Sequence, residues 1–197
     1  MTLNTDGLTM LHLGLGSFHR AHQAIYLQNL IDSGETHWSL AGGNLRPDMA
    51  ETIAALQQQD GQYTLETVTP AGERRYQRIS SIRRVISYEP SLAGLITLGA
   101  AADTRIISFT VTEAGYYLDA RHKLDPQQHP DLAADLLDGG HRTIYGALAA
   151  ILHARMARSG GPVTLLNCDN LRRNGTRLRE ALSEFLQLRG DTALQAW

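Results

Sequence analysis

Cysteine is nearly absent from this 197-residue sequence, and the single Cys168 excludes an internal disulfide. A reducing compartment is the simplest fit, and a cytoplasmic location is expected. Lysine is equally scarce, with Lys123 the only one. Acidic and basic side chains nearly balance, 20 against 18, and are mixed along the chain. That excludes the basic stripe expected of a nucleic-acid surface. No apolar run approaches the roughly 20 residues of a membrane span, so no membrane partner is expected. The first nine residues lack the charged-then-apolar layout of a signal peptide. Internal repeats and low-complexity segments are missing too. The length suits one core and is marginal for two domains.

What is present begins with Leu11-His12-Leu13-Gly14-Leu15-Gly16-Ser17-Phe18-His19-Arg20-Ala21-His22. A short apolar run ends in two glycines, and helical periodicity starts just after them. Glycines there allow a sharp turn out of a strand and a close approach of ligand to main chain. The following helix start suits a pyrophosphate. The third glycine of the usual dinucleotide fingerprint is missing, because His19 occupies its place. The competing reading is an ordinary tight strand-to-helix turn.

Ala24, Ile25, Leu27, Leu30 and Ile31 then recur at helical spacing, and Trp38–Ala41 reads as a second strand ending in Gly42-Gly43-Asn44. Asp48 follows that strand end. It suits either the adenosine ribose of NAD or the N-cap of a helix over 49–56. Residues 63–69 and 75–79 alternate around Pro70-Ala71-Gly72-Glu73, which predicts a β-hairpin. A short helix is expected over 91–98 and a buried strand over 105–112. Residues 119–142, polar and punctuated by Pro126, Pro130 and Gly139-Gly140, read as a solvated loop. Helices are expected over 143–158, the first of them amphipathic, and over 175–188, with a buried strand at 163–167 between them.

In an open α/β sheet, ligands bind beyond the carboxyl ends of the strands. Three such ends carry polar groups: Gly14–His19, Thr110–Tyr116 and Asn167–Asn170. The Asn170 amide suits an oxygen that gains charge during reaction. Glu113 suits a proton relay or a substrate hydroxyl. Cys168 has no local histidine partner, which disfavours a thiol nucleophile. His122, Asp125, His129 and His141 fit no compact ligand pattern, and His19 with His22 has no third ligand nearby, so no metal is expected.

Three segments occur in order: Gly14-Leu15-Gly16-Ser17-Phe18-His19-Arg20-Ala21-His22, Ser108-Phe109-Thr110-Val111-Thr112-Glu113-Ala114-Gly115-Tyr116, and Cys168-Asp169-Asn170-Leu171 followed by Asn174-Gly175. Together they resemble the polyol-specific long-chain dehydrogenases, the family of mannitol dehydrogenases and fructuronate reductases. The resemblance runs from about Leu11 to Trp197. Gly43–Arg46, Tyr63–Pro70 and Arg142–Gly146 are most similar to the branch that acts on D-arabinitol. The resemblance implies an α/β, Rossmann-like, doubly wound and mostly parallel sheet with a β-hairpin insertion, filling residues 1–197. It implies hydride transfer between NAD and a sugar alcohol or its ketose, D-arabinitol and D-xylulose first, with mannitol or fructuronate as alternatives.

Carried over by motif position, Gly14, Leu15, Gly16, Ser17, Phe18 and His19 would line the dinucleotide, and Asp48 would hold the ribose. Thr110, Thr112 and Glu113 would lie near the nicotinamide, and Asn170 would stabilise the alkoxide-like oxygen. The resemblance also implies a lysine base in a Lys-x4-Asn-x2-His motif of a helical C-terminal domain. That motif is absent here, so the domain is expected in cis or in trans, and the chain alone is expected to be inactive. A non-catalytic NAD-binding module is the alternative of another class.

Overall fold

The computed structural model describes residues 7–111, 113–158 and 161–197, excluding the side chains of 113 and 114. Five parallel strands form the central sheet: β1 (Leu8–Leu13), β2 (Trp38–Gly43), β5 (Ile82–Ile86), β6 (Thr104–Phe109) and β7 (Thr164–Asn167). Their spatial order is β5-β2-β1-β6-β7. The chain therefore winds outward from β1 through β2 to β5, then returns to β1's other side and winds outward again through β6 and β7. β1 and β6 are the neighbours at which the direction reverses, the topological switch point of a doubly wound sheet. β3 (Tyr63–Val68) and β4 (Arg74–Ile79) form a separate antiparallel hairpin, in the position expected.

Each face of the sheet has its own core. Leu15, Ala24, Leu27, Leu40, Ile53, Leu56, Ile79 and Ile82 pack one side. They bury α2 (Gln23–Asp32), α3 (Ala50–Gln58) and the hairpin's inner end. Leu11, Leu13, Ile107 and Phe109 point the other way, toward α4 (Ala93–Gly99), α6 (Ile144–Arg158) and α7 (Asn174–Leu188). The alternation of Leu11 and Leu13 with Met10 and His12 thus divides β1 between the two cores.

Several expectations need correction. The helix after the glycines is two pieces, α1 (Ser17–Ala21) and α2, broken at His22 with φ −130° and ψ −82°. Within 119–142, residues Pro130–Asp138 form α5. Pro130 sits at its start and Gly139, at φ +72°, ends it, so the apparent loop punctuation marks helix termini. α6 is not amphipathic: nine of its fifteen residues are buried, which makes it the central helix of its layer. β5 is a further strand, whose apolar pattern Arg83-Arg84 interrupts. Arg84 is used internally, donating to the Thr9 hydroxyl at 2.9 Å. β6 stops at Phe109, short of 112. A short C-terminal helix, α8 (Thr192–Ala196), closes the chain on an Asp191 cap.

Two buried charges fasten this layer. Arg155 on α6 donates to the carbonyls of Gly99, Ala101, Gly161 and Pro162 at 2.8–3.1 Å, tying α6 to the end of α4 and the approach to β7. Asp135 on α5, fully buried, accepts from the Arg142 and Thr143 amides (2.9 and 2.8 Å) and the Thr143 hydroxyl (2.8 Å). A buried carboxylate is tolerated only when its acceptor sites are filled in this way.

Candidate functional site: the switch-point cleft

At the carboxyl ends of β1, β2 and β6 lies a cleft of about 680 Å³. It lies within the range of small-molecule and cofactor pockets. Its floor is the turn after β1. Gly14 has φ +116°, a conformation open to glycine at little cost, and its amide donates to Gly43 O at 2.9 Å. Gly16 differs. Its φ of −71° and ψ of 175° suit any residue, yet a Cβ built there would meet no protein atom within 4 Å. Backbone geometry thus explains the first glycine, while the second leaves bare main chain facing open space in the cleft.

Leu15 between them is fully buried, and its side chain packs into the core beneath. It leans on Gly42, where an added Cβ would stand 2.6 Å from His12 O and 2.8 Å from Leu15 Cδ2. Gly42 therefore lets the turn sit close against that strand, while Gly43 makes room on its own side for Ile86 of β5. Asn44 then clamps the arrangement. Its Oδ1 accepts from the Leu15 amide at 2.8 Å, and its Nδ2 donates to Asp48 O at 3.1 Å. One buried amide ties the glycine turn to the loop after β2.

Ser17, Phe18 and His19 continue the lining. Phe18 is half exposed and stacks on His22, 4.3 Å between centroids, while His22 Nδ1 lies 2.9 Å from Phe18 O. His19 is buried and stacks on His12, with centroids 3.7 Å apart and planes at 17°. Burial holds the His19 imidazole down at about 4 and drives His12 well below its usual value, with proximity of the other ring a further cause for His12. Both rings are therefore neutral near pH 7. The Ser108 hydroxyl donates to Gln23 Oε1 at 3.0 Å, and His12 Nδ1 lies 2.9 Å from the same hydroxyl oxygen. His12 Nε2 and both His19 nitrogens are buried without a hydrogen-bond partner among the described residues. Buried orphan polar atoms lining a cleft fit a polar guest.

The far wall consists of Thr110, Val111, Gly115 and Tyr117, with Arg142 and His129 above it. Asp48 lies on the rim beyond β2, exposed and lining the cleft. It does not cap α3: the residue before that helix is Met49, and no side chain caps it. Arg46, close by, donates to the Tyr117 hydroxyl at 3.0 Å and pairs with Asp131 at 3.4 Å.

The remaining candidates are placed differently. Asn170 is exposed at the end of β7 and is not among the cleft-lining residues. Glu113 opens a short 3-10 turn, Glu113–Tyr116, and its side chain, like all of Thr112, falls outside the described residues. Cys168 is half-buried, and burial together with the Asp169 charge pushes its thiol up, against a nucleophilic role. Among the described residues there is no cluster of three metal-ligating side chains, and no helix is long and apolar enough to cross a membrane. Sequence reasoning assigned no role to Asn44 or His12. The signal for each was a polar side chain beside a glycine turn in an otherwise apolar strand or strand end.

A parallel sheet of this order, with a glycine turn and an open crevice at its switch point, defines a dinucleotide-binding class of domain. The sequence matches the mannitol dehydrogenase Rossmann domain over residues 8–197, so the chain belongs to the mannitol dehydrogenase family. It is 53% identical over 189 residues to a D-arabinitol 4-dehydrogenase of Klebsiella pneumoniae, covering 96% of this chain and 41% of that protein. A D-arabinitol 4-dehydrogenase of Ralstonia nicotianae is 57% identical over 191 residues, covering 95% and 40%. A mannitol 2-dehydrogenase of Cereibacter sphaeroides is 40% identical over 95% of this chain and 39% of its own. Among solved structures, Pseudomonas fluorescens mannitol 2-dehydrogenase in complex with NAD and D-mannitol superposes with a TM-score of 0.88 at 33% identity. That match covers all of this chain and 40% of the other. The chain spans about two fifths of the length of the curated relatives it matches.

Proposed function

We propose that this chain binds NAD in the switch-point cleft and serves as the cofactor half of a polyol dehydrogenase, with D-arabinitol and D-xylulose as the substrate pair. The observation that carries the reading is the bare main chain at Gly16, facing a cleft that continues from Asp48 beyond β2 to Thr110 beyond β6. When bound, NAD supplies the hydride acceptor. The Gly14 and Leu15 amides are taken up by Gly43 O and Asn44 Oδ1, so the main chain from Gly16 onward meets the pyrophosphate, which approaches because no Cβ intervenes. Asp48 accepts from the adenosine ribose, while Arg46 is held toward Tyr117 and Asp131, a combination that favours NAD over its 2′-phosphorylated form. Thr110 and Val111 wall the nicotinamide half.

Glu113 is proposed for proton relay and Asn170 for the substrate oxygen. Asn170 stands outside the cleft lining, so that role requires a second domain to bring the substrate over β7. The base must also come from elsewhere: Lys123 is exposed, 3.8 Å from Glu184, and does not line the cleft. The resemblance of the sequence to the D-arabinitol branch supports the choice of substrate.

The test is a chimera joining residues 1–197 to the C-terminal remainder of the Klebsiella pneumoniae relative. NAD-dependent oxidation of D-arabinitol, faster than of D-mannitol, is the expected outcome. A folded chimera that binds NADH but oxidises neither polyol would favour the non-catalytic module instead.

A further inference from the structure

The carboxylate of Asp169 is buried behind the β6 side of the cleft, outside its lining, and it joins two strand ends. Oδ1 accepts from the Val111 amide at 2.8 Å, and Oδ2 accepts from the Tyr116 hydroxyl at 2.7 Å. The same hydroxyl accepts from Asn167 Nδ2. Asn167 Oδ1 accepts from the Asp169 amide at 2.8 Å, and Asn174 Nδ2 donates to the carbonyls of Asn167 and Asp169 at 3.0 and 2.9 Å. Tyr145 on the central helix donates to Tyr116 O at 3.0 Å. Main chain after β6 is thus bolted to main chain after β7 through one carboxylate and one phenol, both under a tenth exposed.

Val111 itself lines the cleft, and Gly115 and Tyr117, which also line it, flank Tyr116. If the adenosine half lies toward Asp48 beyond β2, this wall faces the nicotinamide half across the switch point. We propose that Asp169 is a positioning residue for nicotinamide: it fixes the β6 wall of the cleft, and so the ring, without touching the cofactor. The inference rests on the NAD-binding reading. It assigns the two halves of the cofactor to different supports, the glycine turn and Asn44 for the adenosine diphosphate, Asp169 for the ring. Burial pushes Asp169 upward and drives Tyr116 up to about 12, so the phenol keeps its proton for the carboxylate throughout the neutral range.

The test compares NADH with ADP-ribose, which lacks the nicotinamide ring, by calorimetric titration of the 197-residue chain and its variants. Asp169→Asn retains an acceptor for the Val111 amide but confronts the Tyr116 hydroxyl with a second amide donor. It should weaken NADH about tenfold and leave ADP-ribose within about twofold. Tyr116→Phe keeps the ring volume and removes one of the two bonds, and should weaken NADH about threefold with ADP-ribose again unchanged. Equal losses for both ligands, or no loss for either in a folded variant, would overturn the positioning role while leaving the cofactor reading intact. Failure of the parent to bind either ligand would overturn the cofactor reading itself, and the Asp169 role with it.

Discussion

Replacing Gly16 by alanine separates the needs of the fold from those of the ligand. The folded protein has no objection to a methyl group there: φ −71° and ψ 175° are ordinary, and nothing lies within 4 Å of the added Cβ. Two small effects on stability oppose one another. Restricting the unfolded chain stabilises by about 0.4–1 kcal/mol, whereas alanine is a poorer residue than glycine just before a helix, by a comparable amount. Stability should therefore change by less than about 1 kcal/mol. A pyrophosphate drawn close to this main chain would instead be pushed away, with loss of at least one charge-assisted hydrogen bond, about 1.5–3 kcal/mol. At 1.4 kcal/mol per factor of ten, NADH should bind about ten- to a hundredfold more weakly. Chemical denaturation and calorimetric titration of Gly16→Ala beside the parent measure both quantities. Unchanged NADH affinity would refute the argument that Gly16 is bare for the cofactor's sake.

Two further predictions concern the groups that hold the site in place. Asp135→Ala strands the Arg142 and Thr143 amides just before α6, together with the buried Thr143 hydroxyl. It should cost roughly 3–5 kcal/mol in urea denaturation, and a loss under about 1 kcal/mol would show that water or rearrangement satisfies those amides. His19, held at about 4 against 6.5 unperturbed, takes up its proton more readily unfolded than folded. Its neutral burial therefore contributes stability fully above pH 6.5, and this is lost as pH falls toward about 4, by roughly 3 kcal/mol in total. His19→Gln should flatten the stability profile over that window relative to the parent. Parallel profiles for the two proteins would contradict the neutral, buried state of the ring.

The sheet was legible in the sequence where strands are mostly apolar and buried on both faces, as in Leu8–Leu13 and Ile106–Phe109, each interrupted by few polar residues. β5 was not, since Arg83 and Arg84 carry charge into a strand whose partners lie far away in sequence, among them Thr9. Proline and glycine misled at α5 because the same residues that break a helix also begin and end one. For the site, the glycines were readable, but their separate reasons were not. Gly14 is required by its φ and Gly16 is left bare, a distinction visible only once the turn is built. Asn44 and Asp169 act through contacts 29 and 58 residues away along the chain, beyond the reach of any local pattern.

The claim on which everything else depends is that the cleft between the ends of β2 and β6 takes NAD. Calorimetric titration of the 197-residue chain with NADH, repeated with NADPH, tests it most directly. Saturable NADH binding, tighter than NADPH binding, is the expected outcome, with the preference reduced in Asp48→Ala. A folded chain that binds neither dinucleotide would contradict it.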